Sequence, residues 1–113
     1  MPVAYDKALA ARIRALTVPE AGVTEQRMFG GLAFLVDGRM AVAASGQGGL
    51  MVRCEPEETD ALLEEPHARV FTMRDRPMDG WLRVDDEGVQ TEAQLAPWVR
   101  RGVAYARSLG PKA

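Results

Sequence analysis

Hydrophobic and polar positions change period along the chain. In residues 4–16, Tyr5, Leu9, Ile13 and Leu16 recur at three- and four-residue steps, with Asp6, Lys7, Arg12 and Arg14 elsewhere. That spacing predicts an amphipathic helix. Thr17-Val18-Pro19 ends it, because the residue before a proline avoids the helical region, and Gly22 marks a turn. Residues 24–29 read as a strand polar enough for a sheet edge. Two apolar runs then flank Asp37-Gly38, at 32–36 and 39–44. Asp-Gly between such runs signals a hairpin, since both residues accept the positive φ of a tight turn. A two-residue turn would pair Val36 with Arg39. A three-residue loop would pair Leu35 with Arg39 and put Leu32, Phe34, Met40 and Val42 on one face. The second register is expected, because it sorts large from small residues more cleanly.

Beyond the hairpin, Ser45-Gly46-Gln47-Gly48-Gly49 is a loop by composition, and residues 50–54 continue the meander. Pro56 suits the first position of a short helix over 56–65, with Leu62 and Leu63 inward and Pro66 as its stop. Glu57, Glu58 and Asp60 lie toward its positive end. Strands are predicted at 69–73 and 81–84, with 74–80 a loop punctuated by Pro77 and Gly80, and a turn at 85–88. Thr91 and Gln94 form a capping box. Leu95, Trp98, Val99, Gly102, Val103, Ala106 and Leu109 follow at helical spacing, and Gly110-Pro111 terminates the helix. Pro97 lacks a backbone donor. Either the first turn is irregular or the regular helix begins near Pro97. Gly102 on the apolar face would let this helix approach the sheet closely. The expected fold is α+β: a two-layer sandwich, with an antiparallel β-meander sheet, N- and C-terminal helices packed on it, and a short helix in mid-chain. Residues 1–113 form one domain, as the length suggests.

Composition narrows the function classes. Apolar residues make up 47% of the chain and charged residues 27%, ordinary values for a globular domain. The net charge of −2 does not call for nucleic acid or an anionic membrane. No apolar run approaches membrane-spanning length, and no signal pattern opens the chain. The single cysteine, Cys54, excludes an internal disulfide and a cysteine-based metal cluster, and fits a cytoplasmic setting.

Candidate chemistry is sparse. Gly30-Gly31 reads as a bend between strands rather than an anion nest, because no helix start or Lys-Ser/Thr follows. The Gly-rich 45–49 loop likewise lies between strands and not before a helix. Cys54 is expected to be a packing residue whose thiol pKa is raised by Glu55, Glu57 and Glu58. His67, the only histidine, is expected at a helix end or on the surface. The acids at 85–88 lack the alternation of a calcium loop. No catalytic residue, metal ligand or cofactor site is expected, and the chain is not expected to be an enzyme. Arg100, Arg101 and Arg107, with Lys112, give the last helix a basic outer face that could contact nucleic acid.

Several of these residues also carry a resemblance. Arg27-Met28-Phe29-Gly30-Gly31, then Phe34 and Asp37-Gly38, then Pro77-Met78 and Trp81, and finally Leu95, Trp98 and Val99, resemble the amino-terminal domain of the TfoX/Sxy competence-regulator family. The likeness runs from the first helix to Gly110 and has the form of a stand-alone domain. It departs at Leu50-Met51-Val52-Arg53, where many members carry an aromatic and a lysine. The resemblance implies a two-layer α/β module, no catalytic residues, and a role in transcription regulation through contacts with other proteins. The expected function is therefore a non-enzymatic regulatory or adaptor module, with Arg27, Met28, Phe29, Gly30, Gly31, Met78 and Trp81 as the signature and partner surface. Nucleic-acid binding by the last helix, or small-ligand sensing between sheet and long helix, are the alternatives. A homodimer through a sheet edge is compatible with each.

Overall fold

In the computed structural model, residues 5–28, 30–73 and 75–111 are described; residue 4 of the first predicted helix, Phe29, residue 74 of the predicted 74–80 loop, and Lys112 lie outside them. Helix α1 (Lys7–Thr17) starts where the Asp6 carboxylate accepts hydrogen bonds from the backbone N–H groups of Ala8 and Leu9. Asp6 is thus an N-cap, satisfying donors that the first turn would leave unpaired. Leu9, Ala10 and Ile13 are buried, and Tyr5 and Leu16 pack at the margin.

Six strands follow: β1 (Val23–Met28), β2 (Gly31–Val36), β3 (Arg39–Ala44), β4 (Leu50–Arg53), β5 (Ala68–Met73) and β6 (Arg76–Val84). They form one antiparallel sheet in the order β1-β2-β3-β4-β6-β5. The first four strands are a meander, and β6 then slots between β4 and β5. Strand β1 is an edge, as its polar sequence predicts, with Thr24, Glu25, Gln26 and Arg27 exposed.

The central hairpin corrects the expected register. Asp37 and Gly38 have φ of 51° and 84°, the two positive values of a two-residue turn, and Val36 pairs with Arg39. Leu35 pairs with Met40, but Phe34 pairs with Val42, so Ala41 is an extra residue in β3. The chain takes the tight turn that Asp-Gly favours, then restores the better burial pattern with a bulge. Leu32, Phe34 and Val42 end up on one face, as expected, while Met40 joins Leu35 on the other.

Two further expectations change. The segment predicted as a loop over 74–80 is mostly strand, for β6 begins at Arg76. Pro77 is tolerated there because β4 pairs only with Trp81–Val84, so beside Pro77 one edge of β6 is free. Four residues, Met78 to Trp81, face Phe71 alone between the pairs Val70–Leu82 and Thr72–Pro77, and Gly80 has φ of 86° within this distortion. The helix predicted over 56–65 is a 3-10 turn (Pro56–Glu58) followed by one α turn, α2 (Thr59–Leu62). Thr59 anchors it. Its buried hydroxyl donates to the Pro56 carbonyl at 2.8 Å and accepts from the Gly80 N–H at 2.9 Å.

Helix α3 (Glu92–Ser108) begins at Thr91 with the predicted capping box and runs regularly through Pro97, so neither alternative for that proline holds. Pro97 lies on the exposed side. Leu95, Trp98, Val99, Val103 and Ala106 bury against the sheet with Phe34, Val42, Leu50, Val52, Leu82 and Val84. All three helices contribute to this one core, on one face of the sheet. The opposite face carries Ala33, Leu35 and Ala43, flanked by Met28, Met40 and Met51.

Two outcomes test this packing. A Cβ at Gly102 would sit 2.5 Å from the Ala41 carbonyl oxygen and 2.7 Å from Val42 Cγ1. Gly102→Val should therefore destabilise the domain by about 1–3 kcal/mol in urea unfolding, through forced separation of α3 from β3. The Arg14 guanidinium hydrogen-bonds Glu25 and holds its carboxyl below the usual range, tying α1 to β1. A carboxyl depressed in the folded state stabilises above its unfolded pKa and loses that contribution as pH falls through the folded value. Glu25→Gln should cost less than about 1 kcal/mol at neutral pH, the difference closing below about pH 4.

Candidate functional site

A cavity of about 450 Å³ opens on the face of the sheet away from the helices. Each strand contributes to its lining: Met28 from β1, Gly31 from β2, Met40 from β3, Met51 from β4, Phe71 from β5, and Met78, Trp81 and Arg83 from β6. These residues meet because cross-strand partners share a face. Met51 pairs with Arg83, and Arg53 pairs with Trp81 two residues on. The distortion in β6 that holds Gly80 brings Met78 to the same rim as Trp81. Trp81 is sandwiched in a row, with the Arg53 guanidinium 5.2 Å from its ring centre and the Phe71 ring 6.3 Å away. Arg53 also lies 5.6 Å from the Tyr105 ring of α3, which fixes it from the other side.

The Gly-rich loop borders the same cavity through Ser45, Gly46 and Gln47. It is held by internal partners. The Gly49 N–H donates to the Asp86 carboxylate at 3.0 Å, and Arg83 donates to Gln47 Oε1 at 2.8 Å and to the Gly48 carbonyl at 3.1 Å. Since Asp86 takes the Gly49 donor, this loop is a cavity wall and not an anion cradle. Gly31 is buried, and a side chain there would run into the Ala44 carbonyl. Gly30 turns the chain from β1 to β2 with φ of 76°.

The signature residues therefore divide. Met28, Gly31, Met78 and Trp81 line one cavity. Arg27 pairs with Leu32 and so shares the helix-bearing face. Gly30 is exposed at the turn. The layer between sheet and α3, expected as the alternative ligand pocket, is filled by the core; the concavity is on the other side.

The basic residues of α3 do not form one strip. Arg107 donates to Glu20 at 3.0 Å and to the Ala21 carbonyl. Arg101 lies 5.1 Å over the Trp98 ring. Arg100 is exposed and borders, with Arg107, a shallow groove between the end of α1 and α3 that includes Leu16 and Pro19.

Titratable groups elsewhere offer little. His67 is exposed with φ of 68°, and its ring, Asp85 and Glu87 place ligand-type atoms within 4.8 Å of one another, a grouping that sequence spacing alone would not suggest. Asp85 is already engaged by Arg69. Cys54 is 1% exposed, and its thiol pKa is raised chiefly by burial; Glu58 adds to this and the Thr59 hydroxyl opposes it. The expected cause, nearby acids, is thus secondary. Cys54 should resist alkylation by iodoacetamide at neutral pH in the folded protein and react fully once unfolded, as mass spectrometry would show.

No helix among the described residues is long and apolar enough to cross a membrane. No curated protein matches the chain. The family model for the TfoX N-terminal domain matches residues 16–106, which span the last two residues of α1, the whole sheet and nearly all of α3. The chain belongs to the TfoX N-terminal domain family.

Proposed function

We propose that this domain is a non-catalytic regulatory adaptor of the cytoplasm, acting in transcription or competence regulation by holding a protein partner on the open face of its sheet. Family membership supports the regulatory part. The observation that carries the docking part is the cavity of half-buried methionine and aromatic side chains, which gathers Met28, Gly31, Met78 and Trp81 from separate parts of the sequence. Methionine side chains adapt to irregular apolar surfaces, and tryptophan is one of the residues enriched at binding hot spots. Among the described residues, the cavity lining has no carboxylate, histidine or thiol to act as base or nucleophile.

The test is affinity capture from source-cell lysate, with and without nuclease, using wild type, Trp81→Ala, Met78→Asp and the Arg100→Ala/Arg101→Ala pair. A stoichiometric protein that survives nuclease and weakens by about thirtyfold with Trp81→Ala is expected. Circular dichroism confirms that each variant is folded. Capture that vanishes with nuclease, or that follows Arg100 and Arg101 instead, overturns the reading in favour of nucleic-acid binding by α3.

A further inference from the structure

We infer that the segment docking on the open sheet face is an acidic amphipathic helix. This rests on the adaptor reading and names the chemistry of its partner. Two observations lead to it.

The first is charge. The domain carries net −2, yet among the described residues the one charged side chain that lines the cavity is an arginine, Arg83. Arg83 lines the cavity, and Arg53 lies two rungs away on the β4–β6 ladder, its guanidinium between the rings of Trp81 and Tyr105. Arg69 pairs across β5–β6 with Arg83, placing two like charges opposite each other. Asp85 neutralises Arg69. Arg83 is held only by the neutral oxygens of Gln47 and Gly48, and Arg53 by the rings of Trp81 and Tyr105. Among the described residues no carboxylate lies within ion-pairing distance of either. The Arg83 guanidinium is thus fixed in position without a counter-charge, on the wall of an apolar cavity. An occupant with Asp or Glu at the rim of its apolar face would supply it, and a basic one would be rejected.

The second is backbone chemistry. The middle of a sheet face presents side chains only, since its N–H and C=O groups are spent on the ladder. An extended segment laid there would bury its own backbone groups unpaired. A helix satisfies its backbone internally and presents a stripe of side chains, and it would add a third layer over a sheet face that no element among the described residues covers.

The test is a selection against the full chain from a display library of random peptides of about four helical turns. Enriched sequences should carry apolar residues at three- and four-residue spacing, with Asp or Glu beside that stripe. The best of them should bind wild type at least about tenfold more tightly than Arg83→Gln. Selection on Arg83→Glu should enrich Lys or Arg at the same place, a reversal that a folding defect would not produce. Enrichment of alternating sequences, of peptides indifferent to the sign of charge, or of nothing overturns the inference. If lysate capture still depends on Trp81 in that event, the adaptor reading stands and only the partner's chemistry falls. If both fail, the face is not a docking surface.

Discussion

Everything in this domain is placed by the close seating of α3 on β3. Gly102 has no Cβ, so the helix comes down to the Ala41 carbonyl. Ala41 is the bulged residue, and it is fully buried under the helix. A bulge and a glycine thus answer each other, one in the sheet and one in the helix. With α3 seated there, its apolar stripe from Leu95 to Ala106 can only cover the side of the sheet that holds Phe34, Val42 and Val52. The alternation of side chains along each strand then leaves Ala33, Leu35, Ala43 and the methionines on the other side. The open face is what remains when the core has been satisfied.

That division explains why the two layers differ in texture. The helix-bearing side is closed by branched aliphatic residues with Phe34 and Trp98. The open side is built from methionine and aromatic side chains that are only half buried. Branched residues hold one packing arrangement, whereas methionine accommodates several. Stability is concentrated in one layer, and the adaptable surface lies in the other.

Much of this was legible in the chain, and the exceptions have physical causes. The periodicity of α3, its Thr91–Gln94 box and the Asp37-Gly38 turn depend on neighbours within a few residues. The bulge at Ala41 does not, because it reconciles a local turn preference with burial set by distant helices. Pro77 and Gly80 read locally as breaks, yet they sit in β6 where one edge is unpaired and the strand is distorted. Thr59 gave no local sign of its role, since its partner Gly80 is 21 positions away. The candidate site is legible in the sequence only as the scattered residues Met28, Gly31, Met78 and Trp81; Met40, Met51, Phe71 and Arg83 join them only once β6 is known to lie between β4 and β5.

The two tryptophans stand on opposite sides of this sheet, each beneath an arginine. Trp98 is buried in the helix layer, and Trp81 is half exposed on the open side. Their indole emission therefore reports separate events. With Trp98 replaced by phenylalanine, fluorescence follows what happens over the cavity; with Trp81 replaced, it follows the integrity of the helical layer. The domain carries a built-in pair of optical probes that distinguish its helical layer from its open sheet face.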